Sequence, residues 1–263
     1  MSEYRAVAFL DILGFKDLIS KNSADKIAEK YSRVIDMTKS FNRDLFPDSK
    51  DLSLFSSKSK DNRWCISKIF SDSIILVAHD GTEESCLRLL IYVWRLLQAC
   101  LSLQMPFRGG IGYDEMFVDE TKEIFLGRAL TKAYELEGSQ EWIGAAIHED
   151  VEKAYPNIFN NDIRPYLKNI FLKYPVPFKG GGIKMLHTIN WRFTFIVEEG
   201  TRSLMPYSLD RNVINKVQNT LKYAEKVVQS GEVYISDSNK VPIEVRSFWC
   251  GSKMPPFPHG DEL

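Results

Sequence analysis

The sequence predicts an α+β fold, a mixed and mostly antiparallel sheet flanked by helices. Three observations carry that expectation. Apolar runs of strand length recur from the N-terminus to about residue 148, stretches of helical periodicity separate them, and turn-forming residues punctuate the boundaries. At 263 residues and 44% hydrophobic, the chain can form one large domain or a domain with an appendage.

Residues 4–13 read as a buried strand. A helix follows, with Ala24, Ile27, Ala28, Tyr31, Val34, Ile35, Phe41 and Leu45 at three- and four-residue steps and Asn22 or Ser23 as its N-cap. The polar stretch 47–61, rich in serine and lysine, reads as a loop. Residues 64–70 and 73–78 read as two strands of a hairpin with Ser71-Asp72 at the turn. A long apolar helix over 82–104 stops at Pro106. Residues 107–112, 116–118 and 123–126 are strand-like, 127–137 a short helix, and 142–148 a strand followed by a helix from about 149. The order β-α-β-β-α-β-β-α-β lays helices on a mixed sheet in the ferredoxin-like manner.

Past Tyr155 the pattern weakens. Pro156, Pro165, Pro175 and Pro177 break up the chain, and 179–182 is a glycine turn. Residues 191–198 are strand-like, 241–250 a last strand, and 210–229 amphipathic, with Val213, Val217, Leu221, Ala224 and Val228 on one face. The expected organisation is a core over residues 1–155 and an extension over 156–263 that completes or packs on it.

Composition excludes several classes of function. With 34 basic and 35 acidic side chains, there is no broad positive field to hold nucleic acid or an anionic membrane, so any phosphate must be held locally. The four cysteines, Cys65, Cys86, Cys100 and Cys250, lack metal or disulfide-framework spacing and fit a reducing cytoplasm; the four histidines show no ligand spacing either. The N-terminus lacks a signal-peptide core, so the terminal Gly260-Asp-Glu-Leu263 is read as a coincidental likeness to a retention tail. Residues 86–105 have the length of a membrane span, but Arg88 and Arg95 share one helical face. A buried helix with one solvated or partner-facing edge is expected there.

Two aspartates stand out because each interrupts an otherwise apolar strand. Asp11 lies near the end of the first strand, just before Gly14, and Asp72 lies in the hairpin turn. Burying an ionised carboxylate is costly unless it is paired, hydrogen-bonded or metal-bound. Singly, Asp11 reads as a helix cap and Asp72 as an Asx-turn residue. Together, on neighbouring strand ends, they suit Mg²⁺ or Mn²⁺, which takes one or two carboxylates and completes its shell with water and substrate phosphates. Gly14 and Phe15, at a strand-to-helix connection, offer backbone N–H groups to phosphate, although a plain tight turn has the same sequence. Lys179, Lys184 and Arg192 surround a glycine turn and read as solvated charges within reach of a triphosphate.

Four motifs, F-L-D-I-L-G-F at 9–15, K-I-F-S-D-S at 68–73, F-R-G-G-I-G at 107–112 and G-R-A-L-T-K-A-Y-E-L-E at 127–137, resemble in order and spacing the catalytic domain of class III nucleotide cyclases. The resemblance covers about residues 4–150 and looks closest to the pyrimidine (uridylate or cytidylate) cyclases of Pycsar anti-phage defence. It implies two Mn²⁺ or Mg²⁺ ions held by Asp11, Asp72 and the Ile12 carbonyl. It also implies a head-to-tail homodimer, in which the metal face of one protomer meets the 127–137 helix of the other. Lys68 stands where purine cyclases of this class read the base, but its usual acidic partner falls on Ile124, which favours an altered, pyrimidine-accepting pocket.

The usual asparagine and arginine of the dimerisation helix fall on Thr131 and Glu135. A glutamate cannot stabilise an anionic transition state, so the cation must come from Arg108, Arg128 or Lys132, or turnover is weak or absent. What the resemblance implies is conversion of UTP or CTP to a 3′,5′-cyclic monophosphate and pyrophosphate, the product alerting a separate effector. A purine cyclase and an inactive nucleotide-binding dimerisation module remain the alternatives.

Overall fold

Alternation along the first strand decides the layering. In β1 (Glu3–Ile12), Ala6, Ala8, Leu10 and Ile12 enter the main core, whereas Val7 and Phe9 join a second apolar cluster on the opposite face. Asp11 falls on that second face. The coordinates are a computed structural model, which describes residues 2–39, 65–103, 105–163, 167, 170–191 and 211–229; these fall within one unit, Met1–Val233.

After β1 come two helices, α1 (Phe15–Lys21) and α2 (Ala24–Lys39), then the hairpin β2 (Ile66–Phe70) and β3 (Ser73–Val77). Next is α3 (Glu83–Ser102), N-capped by the Thr82 hydroxyl, which accepts from the Ser85 N–H. The strand β4 (Phe107–Asp119) is followed by β5 (Ile124–Gly127), α4 (Arg128–Ser139), β6 (Gly144–Ile147) and α5 (Glu149–Ala154). A 3₁₀ turn (Pro156–Phe159), the hairpin β7 (Phe171–Pro177) and β8 (Ile183–Ile189), and α6 (Arg211–Gln229) complete the described chain.

The strands form one sheet in the order β2-β3-β1-β4-β6-β8-β7, with β5 added to β4. Among the described residues β4 and β6 run parallel, and the other strand pairs are antiparallel. The expected α+β class is what the chain adopts.

Several boundaries differ from expectation, each for a physical reason. The two runs at 107–112 and 116–118 are a single strand, because Tyr113, Asp114 and Glu115 continue the ladder with β1. Pro175 and Pro177 do not break the chain. They sit in β7, which among the described residues pairs with β8 alone, so the missing N–H donors fall on an edge strand. Gly14, with φ +75°, occupies the cap position of α1, and Asp11 is not a helix cap.

The anticipated solvated edge of α3 is absent at Arg95, which is 5% exposed, while Arg88 is held by Glu84 at 2.8 Å. Among the described residues no helix is long and apolar enough to cross a membrane. The expected features at Phe41, Leu45, Trp64, 47–61, 192–198 and 241–250 lie outside the described residues.

The glycines of β4 explain how α4 sits. A Cβ on Gly110 would lie 2.2 Å from the Ala133 carbonyl oxygen, and one on Gly112 2.6 Å from that of Ala129. The helix backbone therefore rests directly on the strand, which no larger residue would permit. This close seat fixes α4 across β4 and β1, on the face that carries Asp11.

Candidate active site

Asp11 stands opposite Ser73 of β3 on one side and Arg108 of β4 on the other. The next residue, Ile12, donates its N–H to the Asp72 carbonyl at 2.9 Å, so the hairpin turn is stitched to the end of β1. Ser71 in that turn has φ +56°, a region that disfavours ordinary side chains, and the Tyr31 hydroxyl braces it by donating to the Ser71 carbonyl at 2.7 Å. The structure thus brings the two expected carboxylates together at one end of the sheet.

Their electrostatics are unusual for a stable core. Among the described residues, neither Asp11 nor Asp72 has an ion pair, and neither carboxylate accepts a hydrogen bond. Asp72 is therefore not the Asx-turn residue that its position allowed. Burial, with repulsion from Glu137 and Asp72, pushes the Asp11 carboxyl up to about 6, against the attraction of Arg108 and Lys216. Two acids side by side, both partly buried and neither in an ion pair, join Glu137 in a surplus of negative charge that Arg108 and Lys216 do not fully answer. That donor set fits a hard divalent cation, with substrate phosphates and water completing the shell. Among the described residues, no group of three or more His, Cys, Asp or Glu side chains is arranged to hold a metal.

The first turn of α1 lies beside this pair. The Leu13 N–H is taken by Pro106 and the Leu18 N–H by Gly14, while the amides of Phe15 and Lys16 open the helix without intrahelical acceptors.

The other expected residues divide by position. Arg108 is next to Asp11 but buried, donating through Nε to Glu137 at 2.6 Å and through a terminal nitrogen to the Gln140 carbonyl at 2.9 Å. Arg128 and Lys132 lie at the opposite end of α4. Arg128 is exposed and pairs with Asp114 and Glu115, and Lys132 bridges Asp114 and Asp150 at 2.8 and 2.6 Å. Thr131 is exposed, its hydroxyl directed at the Gly127 carbonyl at 3.4 Å. Lys184 pairs with Glu149, and Arg192 lies outside the described residues.

Lys68 is ion-paired with Glu123, one residue before the Ile124 to which spacing pointed. Glu123 has φ +57°, so the β4–β5 turn turns this side chain toward β2. Sequence spacing missed the pair because a one-residue shift at a turn cannot be read from a motif. It also missed Glu137, whose partner Arg108 is 29 residues away, and Lys216 on α6.

No protein-family profile matches the chain, and no curated protein sequence matches it. Among solved structures it is similar to the guanylyl cyclase domain of a RhoGC fusion protein from the aquatic fungus Blastocladiella emersonii, at 13% identity and a TM-score of 0.49, over 72% of this chain and 96% of that one. It is also similar to the adenylyl cyclase CyaB from P. aeruginosa, at 14% identity and a TM-score of 0.44, over 72% and 94% of the two chains. A third is the catalytic core of a rhodopsin-guanylyl cyclase with converted specificity, at 14% identity and a TM-score of 0.47, over 72% and 97%.

Proposed function

We propose that the protein is a metal-dependent nucleotide cyclase acting on a pyrimidine triphosphate, UTP or CTP. The observation that carries this reading is the juxtaposition of the unpartnered Asp11 and Asp72 carboxylates beside the open first turn of α1. The four motifs that resemble class III cyclases supply the reaction. The ribose 3′-oxygen bonds to the α-phosphorus, the bond from that phosphorus to the bridging oxygen breaks, pyrophosphate leaves, and the 3′ proton passes to water. When bound, two Mn²⁺ or Mg²⁺ ions supply charge neutralisation and make the hydroxyl more acidic.

The chain's own residues hold and orient. Asp11, Asp72 and the Ile12 carbonyl are the proposed ligands, and the Gly14–Phe15 connection faces the outer phosphates. Arg108, adjacent to Asp11 and fixed by Glu137, contributes positive charge to the site. Lys132, Arg128 and Thr131 lie on the α4 surface that a head-to-tail partner would meet. There Tyr134 is exposed and packs edge-on against Phe9, with ring centroids 5.2 Å apart, which leaves an aromatic face for a second copy. A cyclic pyrimidine product would serve as a second messenger in anti-phage defence, read by a separate effector.

A specific observation favours a second reading, a purine cyclase. The Lys68–Glu123 ion pair places a hydrogen-bond donor and an acceptor together, the combination that reading a purine edge uses. Incubation with Mn²⁺ and each of the four ribonucleoside triphosphates, with products identified by mass, tests both. Cyclic UMP or cyclic CMP is the expected product. A cyclic purine overturns the pyrimidine assignment, and tight binding without pyrophosphate release overturns the enzymatic one.

A further inference from the structure

The last described helix, α6, is docked onto the same end of the sheet as Asp11. Asn219 donates to the Glu141 carbonyl at 2.8 Å, and the Ile143 N–H donates to the Thr220 hydroxyl at 2.8 Å. That hydroxyl in turn donates to the Lys216 carbonyl at 2.6 Å. Tyr223, fully buried, packs against Trp142, Tyr174 and Trp191. The anchor is therefore firm, and it fixes where Lys216 starts.

Ile143 immediately precedes Gly144, which is opposite Arg108, which is opposite Asp11. At about 4.8 Å between neighbouring strands, the anchor and Asp11 are about 10 Å apart. A lysine's four-carbon stem covers much of that span.

The surroundings of Lys216 are unusual. It is half-buried, and its charged neighbours are Arg108 and Lys179 as well as Glu137 and Glu141; its field also reaches Asp11. Lys179 is brought in by its own N–H, which donates to the Ser139 carbonyl at the end of α4 at 2.8 Å. Lys68, Lys132, Lys173 and Lys184 each have a carboxylate within salt-bridge distance. Lys216 has none among the described residues. Burial and the two cations hold its ammonium below the usual lysine range. A half-buried cation beside two others is stabilised by an incoming anion.

We propose that Lys216 contacts the substrate, as a cation that α6 supplies to the pyrophosphate end of the nucleotide bound in the same chain's Asp11–Asp72 site. The proposal rests on the cyclase reading above. It assigns part of the active site to the segment after residue 155, which the motifs do not reach.

Calorimetric titration of Mn²⁺-pyrophosphate into the full chain tests it without requiring turnover. Lys216→Ala should bind about 10-fold more weakly than wild type, the scale of one charge-assisted contact, and Lys216→Arg should recover most of that loss. In an assay of pyrophosphate release the Ala variant should raise KM for the triphosphate by a similar factor and change kcat less. An unchanged unfolding midpoint separates this from mispacking of α6. If Lys216→Ala does not fold, Lys216→Gln, which keeps most of the stem, carries the same comparison.

Wild-type affinity and KM in the Ala or Gln variant overturn the proposal, as does a wild-type chain that binds no Mn²⁺-pyrophosphate. A wild type that binds pyrophosphate through Lys216 but forms no cyclic product overturns the cyclase reading and leaves the anion site standing.

Discussion

The two ends of α4 treat charge in opposite ways. At its N-terminal end, Arg128 and Lys132 meet Asp114, Glu115 and Asp150, each charge answered by another within a few ångströms. The Lys132 and Arg128 donors there hold the Asp114 carboxyl down at about 2. At the C-terminal end, Arg108 and Glu137 form a buried pair, but Asp11 and Asp72 beside it are left unanswered, and Asp11 is driven upward. One helix thus spans a satisfied network and a frustrated one. Satisfied charges hold a fold together; charges left repelling each other indicate a ligand of opposite sign.

The sharpest way to break this contrast is at Asp72. Asp72→Ala should lower turnover by on the order of 10³-fold while leaving the unfolding midpoint at or slightly above wild type, because among the described residues the lost carboxylate makes no hydrogen bond or ion pair and repels Asp11. Retained cyclisation would overturn the proposed role of Asp72 as a metal ligand. The same substitution at Asp114, in the satisfied network, should do the reverse and cost stability.

Next in size is Glu137→Gln. Side chains of Glu137 and Arg108 are only 5% and 8% exposed, and removing one partner of a buried pair leaves the other charge uncompensated. A loss of about 3 kcal/mol in urea unfolding is expected. A loss below about 1 kcal/mol would mean that Arg108 finds Asp11 as a substitute partner. In that event the Asp11 carboxyl, relieved of Glu137 and drawn to Arg108, becomes more acidic, which NMR titration would register.

Lys132→Met probes the satisfied end. Its two ion pairs are partly exposed, so solvent screens them, and the expected cost is about 1 kcal/mol. Mn²⁺ affinity, measured by calorimetry, should not move, because the residue lies at the far end of α4 from Asp11. A change in that affinity would couple the two ends.

Much of this contrast was legible in the sequence where the cause is local. Asp11 and Asp72 were visible because each interrupts an apolar run, and α3 because its apolar stretch exceeds any strand. What escaped is what depends on distant neighbours. Pro175 and Pro177 looked like breaks because a sequence does not say which strand is an edge. The glycines of β4 fell in a run that read as strand, but nothing local showed that Gly110 and Gly112 are the seat of α4. Glu123 was displaced by one residue through a left-handed turn position, and the charge of Lys216 acts on Asp11 because α6 folds back onto residues 141–143. Placement of unlike charges was readable; their pairing was not.

The smallest effect separates stability from function at one atom group. An unfolded aspartate titrates near 3.8, and Asp11 in the folded chain near 6. Between those values the folded chain holds a proton that the unfolded chain has released, so rising pH favours unfolding across that window, and the loss is complete above about 6. Asp11→Asn carries no charge to repel. In metal-free protein it should therefore gain about 1 kcal/mol over wild type at pH 7.5, a figure already discounted for the solvent that screens a half-exposed group. The gain should shrink as pH falls through 6 and vanish near 4. Mn²⁺ should reverse the ranking at neutral pH, raising the wild-type midpoint and leaving Asp11→Asn where it was. Thermal unfolding with and without Mn²⁺ at three pH values checks all of this. A variant less stable than wild type at pH 7.5 without metal would show that the Asp11 charge is already compensated, and the distinction between the two ends of α4 would fail with it.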